Sequence, residues 1–260
     1  MIPAPFDYVR PASLEEALAL LAKHGEDAKI LAGGHSLLPA MKLRLAQPKL
    51  LIDIGRLPDL RFIRRDGNGF AIGALATHYD VESSEILKAG CPLLPEVAAS
   101  IADVQVRNRG TIGGSLVHAD PAGDWSAAML ALDAEMEIAG AGGRRRVKAR
   151  EFFVDMFQSA VGRDEILASI HVPSTGKHVA YEKFANKASG FAICGVAVVS
   201  AATLAIGVTG VAAKPYLASS VETLVDGVDV LSDLHASGDF RAHLARVHAR
   251  RALERARRKT

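Results

Sequence analysis

Two short stretches constrain this chain more than anything else in it: Ala32-Gly33-Gly34-His35-Ser36 and Thr111-Ile112-Gly113-Gly114-Ser115. In each, a hydrophobic strand or loop end meets paired glycines and then a hydroxyl residue. Paired glycines permit positive φ and let backbone N–H groups converge on one point. Such a nest, or a helix start just after it, holds an anion such as a pyrophosphate without Lys or Arg. The hydroxyls of Ser36, Thr111 and Ser115 each offer one further hydrogen bond. Either pair by itself is more often a plain tight turn. Two of them in one chain, both ending in a hydroxyl, are a stronger signal.

Other nucleotide-binding patterns are missing. No G-x-G-x-x-G follows a strand, so a dinucleotide is not held as in a Rossmann unit. No G-x-x-x-x-G-K-[ST] occurs, which excludes a P-loop hydrolase. The two cysteines, Cys91 and Cys194, cannot supply the four ligands of an iron–sulfur cluster or a structural zinc site. Neither His35 nor His118 has a carboxylate or histidine four residues on, so no helical metal site is expected. A net charge of +2 gives no reason to expect a nucleic-acid partner. The basic residues cluster at the end, where Arg246, Arg250, Arg251, Arg255, Arg257, Arg258 and Lys259 face a single acid, Glu254. That segment reads either as a solvated helix face or as a surface for docking a partner subunit or for peripheral association with an anionic membrane. The N-terminus lacks the basic region and apolar run of a signal peptide, so a cytoplasmic setting is expected.

Read along its length, the chain predicts an α+β protein. Phe6–Pro11 is extended, and Ser13 with Glu16 forms a capping box for a helix carrying Leu14, Ala17, Leu18 and Leu21 on one face. Strands at 29–32 and 49–54 flank a helix over 37–45, giving a small α/β lobe over residues 1 to about 55. Hairpins follow around the turns Asp66-Gly67-Asn68-Gly69 and Gly140-Ala141-Gly142-Gly143. Between them helices are expected over 79–89, 92–103 and 128–132, and Ile166–Pro173 is a strand that proline ends. These make a second lobe, 56–175, and Ser174-Thr175-Gly176-Lys177 reads as the boundary to a C-terminal unit over 176–260. Residues 189–213 carry no charge, which is long enough to span a bilayer. Their glycines and β-branched residues favour two strands joined by Ser-Ala-Ala-Thr instead. A helix from about Asp239 to Arg258 closes the chain.

The stretches LAGGHSLLPAMKLRLAQP and RNRGTIGGSLVHADPAGD, in this order and separation, resemble the medium, flavin-carrying subunit of molybdenum hydroxylases. That family includes bacterial carbon monoxide dehydrogenase and the flavin portion of xanthine dehydrogenase. The opening FDYVRPASLEEALALLAKHGEDAKILAGG, the segment YEKFANKASGFAICGVAVV and the closing FRAHLARVHARRALERA resemble it too. The resemblance implies a two-lobed FAD-binding module of the vanillyl-alcohol-oxidase type followed by a small C-terminal α+β domain. It implies that Ile30, Leu31, Ala32, Gly33, Gly34, His35, Ser36 and Leu37 wrap the pyrophosphate of FAD. Thr111, Ile112, Gly113, Gly114 and Ser115 would form a second cradle. Asp124 matches an aspartate near the ribose or adenine side, and Ile101 and Leu167 match apolar residues packed on the flavin. Lys183 matches a basic residue near the isoalloxazine, with Lys187 as the competing choice, and Phe191 would cover part of the ring. On residue type alone, Ile101 and Leu167 fit any core and Lys183 fits a surface pair with Glu182. The chain departs from the family between Ser200 and His235, where it is shorter than the usual C-terminal domain.

The implied role is electron transfer with no catalytic acid or base on this chain. Substrate would be oxidised at a molybdopterin centre on a large subunit, and electrons would reach the flavin through iron–sulfur clusters on a small subunit. The complex would be a dimer of heterotrimers, and its acceptor a quinone, NAD or oxygen. A stand-alone FAD-dependent oxidoreductase of the same fold is the alternative, and a basic binding module without enzyme activity is a third.

Overall fold

The computed structural model describes residues 1–201 and 203–259. Its first unit holds β1 (Asp7–Val9), α1 (Leu14–His24), β2 (Ala28–Leu31), α2 (Leu37–Lys42) and β3 (Leu50–Asp53). The strands form a parallel sheet in the order β1-β3-β2. Ser13 caps α1 by accepting from the Glu16 amide, but the reciprocal half of the expected capping box does not form, since the Glu16 carboxylate accepts from the Ala12 amide, one residue before the cap, at 2.6 Å. Ala17 and Leu21, four apart on α1, are buried in a cluster with Ile52, Ile54 and, from inner strands of the next sheet, Ala139, Ile166 and Ala168. The helix after the first glycine turn ends at Lys42, earlier than the pattern suggests, because Arg44 takes a left-handed φ of 59°.

A second stretch contributes β4 (Ile63–Asp66), β5 (Gly69–Gly73), seven helices, two further antiparallel strand pairs and a long closing strand. Its first six helices are α3 (His78–Ser83), α4 (Glu85–Gly90), α5 (Leu93–Ala99), α6 (Val104–Arg107), α7 (Ile112–His118) and α8 (Asp124–Ala131). Then come β6 (Glu135–Gly140), β7 (Gly143–Lys148), the short α9 (Ala149–Phe152), β8 (Phe153–Asp155), β9 (Gln158–Ser159) and β10 (Ile166–Pro173). The antiparallel sheet runs β4-β5-β10-β6-β7. The single helix expected over 79–89 is two, broken where Ser84 leaves helical ψ at 110°. Helix α8 begins at Asp124, four residues earlier than its apolar run, and every residue in it is buried.

The last stretch forms an antiparallel sheet of β11 (Val179–Ala185), β12 (Ala192–Ser200), β13 (Leu204–Thr209) and β14 (Tyr216–Ala218), covered by α10 (Gly238–Arg258). The uncharged run 189–213 is thus largely a hairpin, with Val196 opposite Val208 and Val198 opposite Ile206. Among the described residues no helix is long and apolar enough to cross a membrane. The run lacks charge because both of its faces are covered. Val196, Val198, Ile206 and Val208 pack with Ala245, Ala249, Ala252 and Ala256 of α10. Ala197 and Val199 face the other way, into the core they share with α5 and α8.

Gly207 is where α8 rests on this sheet: a Cβ there would stand 2.0 Å from the Ala127 carbonyl oxygen. Gly207→Ala is therefore expected to lower unfolding free energy by about 2 kcal/mol through overpacking, read as an earlier urea midpoint at unchanged m-value. The basic C-terminal segment is partly tied inward. Arg255 pairs with Glu96 and Glu182, and Lys259 reaches Glu96 at 2.8 Å. Among the described residues Arg258 pairs only with Glu254, on its own helix.

Candidate functional site

The two glycine turns are in contact. A Cβ on Gly33 would lie 2.2 Å from the Arg109 carbonyl oxygen and 2.8 Å from the Gly110 Cα, so the first turn rests directly on the approach to the second. The second turn is pinned from below: the amides of Ile112 and Gly113 donate to the carbonyls of Ala76 and Ala74, both at 2.9 Å. A Cβ on Gly113 would meet Ala74 at 2.5 Å, which explains why a glycine is needed there.

Beside this junction lies a cleft of about 470 Å³. Ile30, Ala32, Gly33, Gly34, His35, Ser36 and Leu37 line one wall, and Thr111, Gly113, Gly114 and Ser115 line another. Ile101, Asp124 and Leu167 also line it, as does Phe191 from the loop before β12, which is 49% exposed. Three expected residues do not line it. Leu31 faces a neighbouring depression, Ile112 is wholly buried under the second turn, and Lys183 is enclosed in an ion pair with Asp124. Lys187 does not line it either. Among the described residues no group of three or more His, Cys, Asp or Glu side chains converges as a metal site.

The turns differ in what their backbones offer. Consecutive amides of Gly33, Gly34, His35, Ser36 and Leu37 have no acceptor among the described residues. Gly34 takes φ of 81°, a left-handed conformation that favours glycine. At the second turn the amides are spent internally. Besides Ile112 and Gly113, Gly114 donates to the Thr111 hydroxyl at 3.1 Å and Ser115 to the Thr111 carbonyl at 3.1 Å. Convergent amides, expected at both bends, are therefore open only at the first. The second offers a surface without side chains at Gly113 and Gly114, together with the hydroxyls of Thr111 and Ser115.

Asp124 sits where the cleft meets the C-terminal sheet. Its carboxylate accepts from Tyr181 Oη at 2.7 Å and from Lys183 Nζ at 2.8 Å, and both partners in the ion pair are nearly inaccessible, at 6% and 7%. Lys183 also donates to the Ser100 carbonyl at 3.1 Å. The surface pair with Glu182 does not form, because alternation along β11 turns Lys183 inward while Glu182 pairs with Arg255. Burial is the largest influence on Asp124 and raises its carboxyl above the usual range, while Lys183 and Tyr181 oppose that shift.

His78 is a cleft residue that sequence reasoning missed. Its Nδ1 accepts from the Trp125 indole N–H at 3.1 Å, which fixes a neutral imidazole with its proton on Nε2. Burial, with His35 and Arg107 nearby, lowers its pKa from 6.5 to about 4. Between these two values the unfolded chain holds a proton that the folded chain does not, so stability falls as pH falls through that window. The loss amounts to at most about 3 kcal/mol. His78→Gln should flatten this part of the stability-versus-pH curve, measured by urea unfolding at a series of pH values. No spacing marks His78 in the sequence, since its partner Trp125 lies far along the chain. Phe157, stacked on His118 at 5.2 Å and held at φ of 56°, is a second missed lining residue.

Comparison with known proteins gives this geometry relatives. Residues 4–175 match the model of the FAD binding domain in molybdopterin dehydrogenase. The carbon monoxide dehydrogenase medium chain of Hydrogenophaga pseudoflava is 40% identical, with 98% of each chain covered. The 6-hydroxypseudooxynicotine dehydrogenase complex subunit alpha of Paenarthrobacter nicotinovorans is 36% identical, over 98% of this chain and 96% of the relative. Among solved structures, reconstituted CO dehydrogenase from Oligotropha carboxidovorans superimposes with a TM-score of 0.95 at 36% identity, covering both chains in full.

Proposed function

Because this chain belongs to the family of FAD-binding medium subunits of molybdopterin dehydrogenases, and so is an FAD-dependent oxidoreductase subunit, we propose that it passes electrons from iron–sulfur clusters on a partner subunit through FAD to an external acceptor. The observation that carries this reading is the row of open amides at Gly33–Leu37 in the lining of a cleft that Gly113 and Gly114 also line, without side chains. A diphosphate needs several N–H donors and close backbone approach, and this arrangement supplies both. The residues fit the cofactor.

In this proposal the first turn grips the diphosphate through its amides and the Ser36 hydroxyl, and the second adds the hydroxyls of Thr111 and Ser115. Asp124, held by Tyr181 and Lys183, accepts from a ribose hydroxyl. Ile101, Leu167 and Phe191 give the ring system apolar surface and exclude water. Lys183 serves by fixing Asp124, and Leu31 and Ile112 by packing behind the turns. FAD bound here supplies conversion between single-electron and paired-electron transfer. The chain positions it and needs no acid or base of its own.

A molybdopterin-bearing large subunit oxidises the substrate, and a small subunit carries the clusters, in a dimer of heterotrimers. The chain divides into an FAD-binding domain over 1–175 and a C-terminal domain over 176–260. The test is co-purification. The complex isolated through a tag on this chain should contain both other subunits and about one FAD per copy of this chain. A monomer that oxidises substrate unaided would instead make it a stand-alone flavoenzyme.

A further inference from the structure

A second depression, of about 270 Å³, lies beside the flavin cleft and shares Ala32, Gly33, Gly34 and Thr111 with it as a common wall. It opens at the carboxyl ends of all three parallel strands: Arg10 follows β1, the first glycine turn follows β2, and Gly55-Arg56 follow β3. Loops at that edge of an open parallel sheet are where ligands bind. Four guanidinium groups, those of Arg10, Arg56, Arg61 and Arg109, line this one depression.

Two of the four are fixed in place. Arg61 makes a bidentate pair with Asp80 at 2.9 and 3.0 Å, and Asp80 is itself held by the Thr77 amide at the start of α3. Arg10 donates to the Tyr8 hydroxyl at 3.2 Å. The other two, Arg56 and Arg109, have no acid, carbonyl or ring as a side-chain partner among the described residues. The lining holds one carboxylate, Asp53, which accepts from the Tyr8 hydroxyl and from the Gly55 amide at 2.8 Å and lies 3.9 Å from Arg10; with Asp80 on Arg61, the charges left over are those of Arg56 and Arg109. The excess of positive charge exceeds what one carboxylate would neutralise. A tetrahedral dianion, with several acceptor oxygens, matches converging guanidinium forks.

We propose that Arg10, Arg56, Arg61 and Arg109 form an anion site for a phosphate dianion or phosphate monoester, adjoining the flavin cleft. Occupancy does not require the flavin to leave, because none of the four arginines lines the flavin cleft.

The test is calorimetric titration of the intact, FAD-loaded complex with inorganic phosphate, at constant ionic strength set by chloride. Saturable binding at one phosphate per copy of this chain is expected. Arg56→Gln and Arg109→Gln should each weaken it by roughly tenfold, and the double variant by roughly a hundredfold, as befits lost charge-assisted hydrogen bonds. FAD content, read separately from the visible spectrum, should stay the same in all variants. Absence of saturable binding overturns the proposal. So does phosphate that displaces FAD, since the depression would then belong to the flavin site. If the variants instead impair subunit assembly while phosphate fails to bind the complex, the arginines face an acidic partner surface and the proposal also falls. An FAD-free complex that binds phosphate and loses it in the double variant would contradict the flavin reading alone.

Discussion

Replacing Gly33 by alanine is expected to weaken FAD binding by roughly 10- to 100-fold, the equivalent of overpacking by about 1–3 kcal/mol at the site itself. The added methyl would stand 2.2 Å from the carbonyl oxygen of Arg109 and 2.8 Å from the Cα of Gly110. Both obstacles are backbone, so no side chain can swing aside. The two turns must separate, and the open amides at Gly33–Leu37 then shift away from the wall formed by Gly113 and Gly114. Gly142→Ala is the control. Gly142 lies in the β6–β7 turn, a Cβ there meets nothing within 4 Å, and its FAD affinity should match that of the parent chain. Titration of apo-protein with FAD, followed by quenching of flavin fluorescence, measures both. Equal affinity in Gly33→Ala and the parent would mean that the junction of the turns does not hold the cofactor.

Lys183→Met should be the most destabilising single change near the cleft, lowering unfolding free energy by about 3–5 kcal/mol near neutral pH. Lys183 and Asp124 are almost fully enclosed, and Tyr181 alone does not balance a buried carboxylate. The sign of the pH dependence follows from Asp124. Burial already raises its carboxyl, and losing the ammonium raises it further, so the neutral form is favoured in the folded variant. The deficit of Lys183→Met should therefore shrink as pH falls and Asp124 takes up a proton. Adding Asp124→Leu should recover much of the loss, because an apolar pair replaces an orphaned charge. Urea unfolding of the parent, single and double variants across pH gives all three results. A deficit that does not change with pH would place the effect in packing rather than charge.

Much of this architecture is legible in local sequence. The Ser13 cap of the first helix, the hairpin around Gly67, and the closing helix follow from signals that need no tertiary partner. The glycine turns are legible as paired glycines followed by a hydroxyl residue, whereas what requires glycine at Gly33 and Gly113 is tertiary, the backbone of Arg109 and Gly110 in one case and Ala74 in the other. What local pattern does not convey is which amides remain free. Both turns look alike as sequence, yet Thr111 and the strand end at Ala74 and Ala76 consume the second set. Lys183 beside Glu182 likewise reads as a surface pair until β11 pairs with β12 and sends the two residues to opposite faces. His78 and Trp125 meet across 47 positions, and Arg56 and Arg109 share a depression only once the parallel sheet packs against the second unit.

The central claim is that the exposed amides after β2 hold the diphosphate of FAD against the bare face of the second turn. The most direct measurement is a glycine-selective ¹⁵N spectrum of the apo-chain during titration with FAD. The account predicts saturation at one FAD per chain, with the largest amide shifts at Gly33 and Gly34 and smaller ones at Gly113 and Gly114, whose N–H groups are already engaged. A chain that takes up no FAD, or one whose largest shifts fall at glycines remote from both turns, would contradict it.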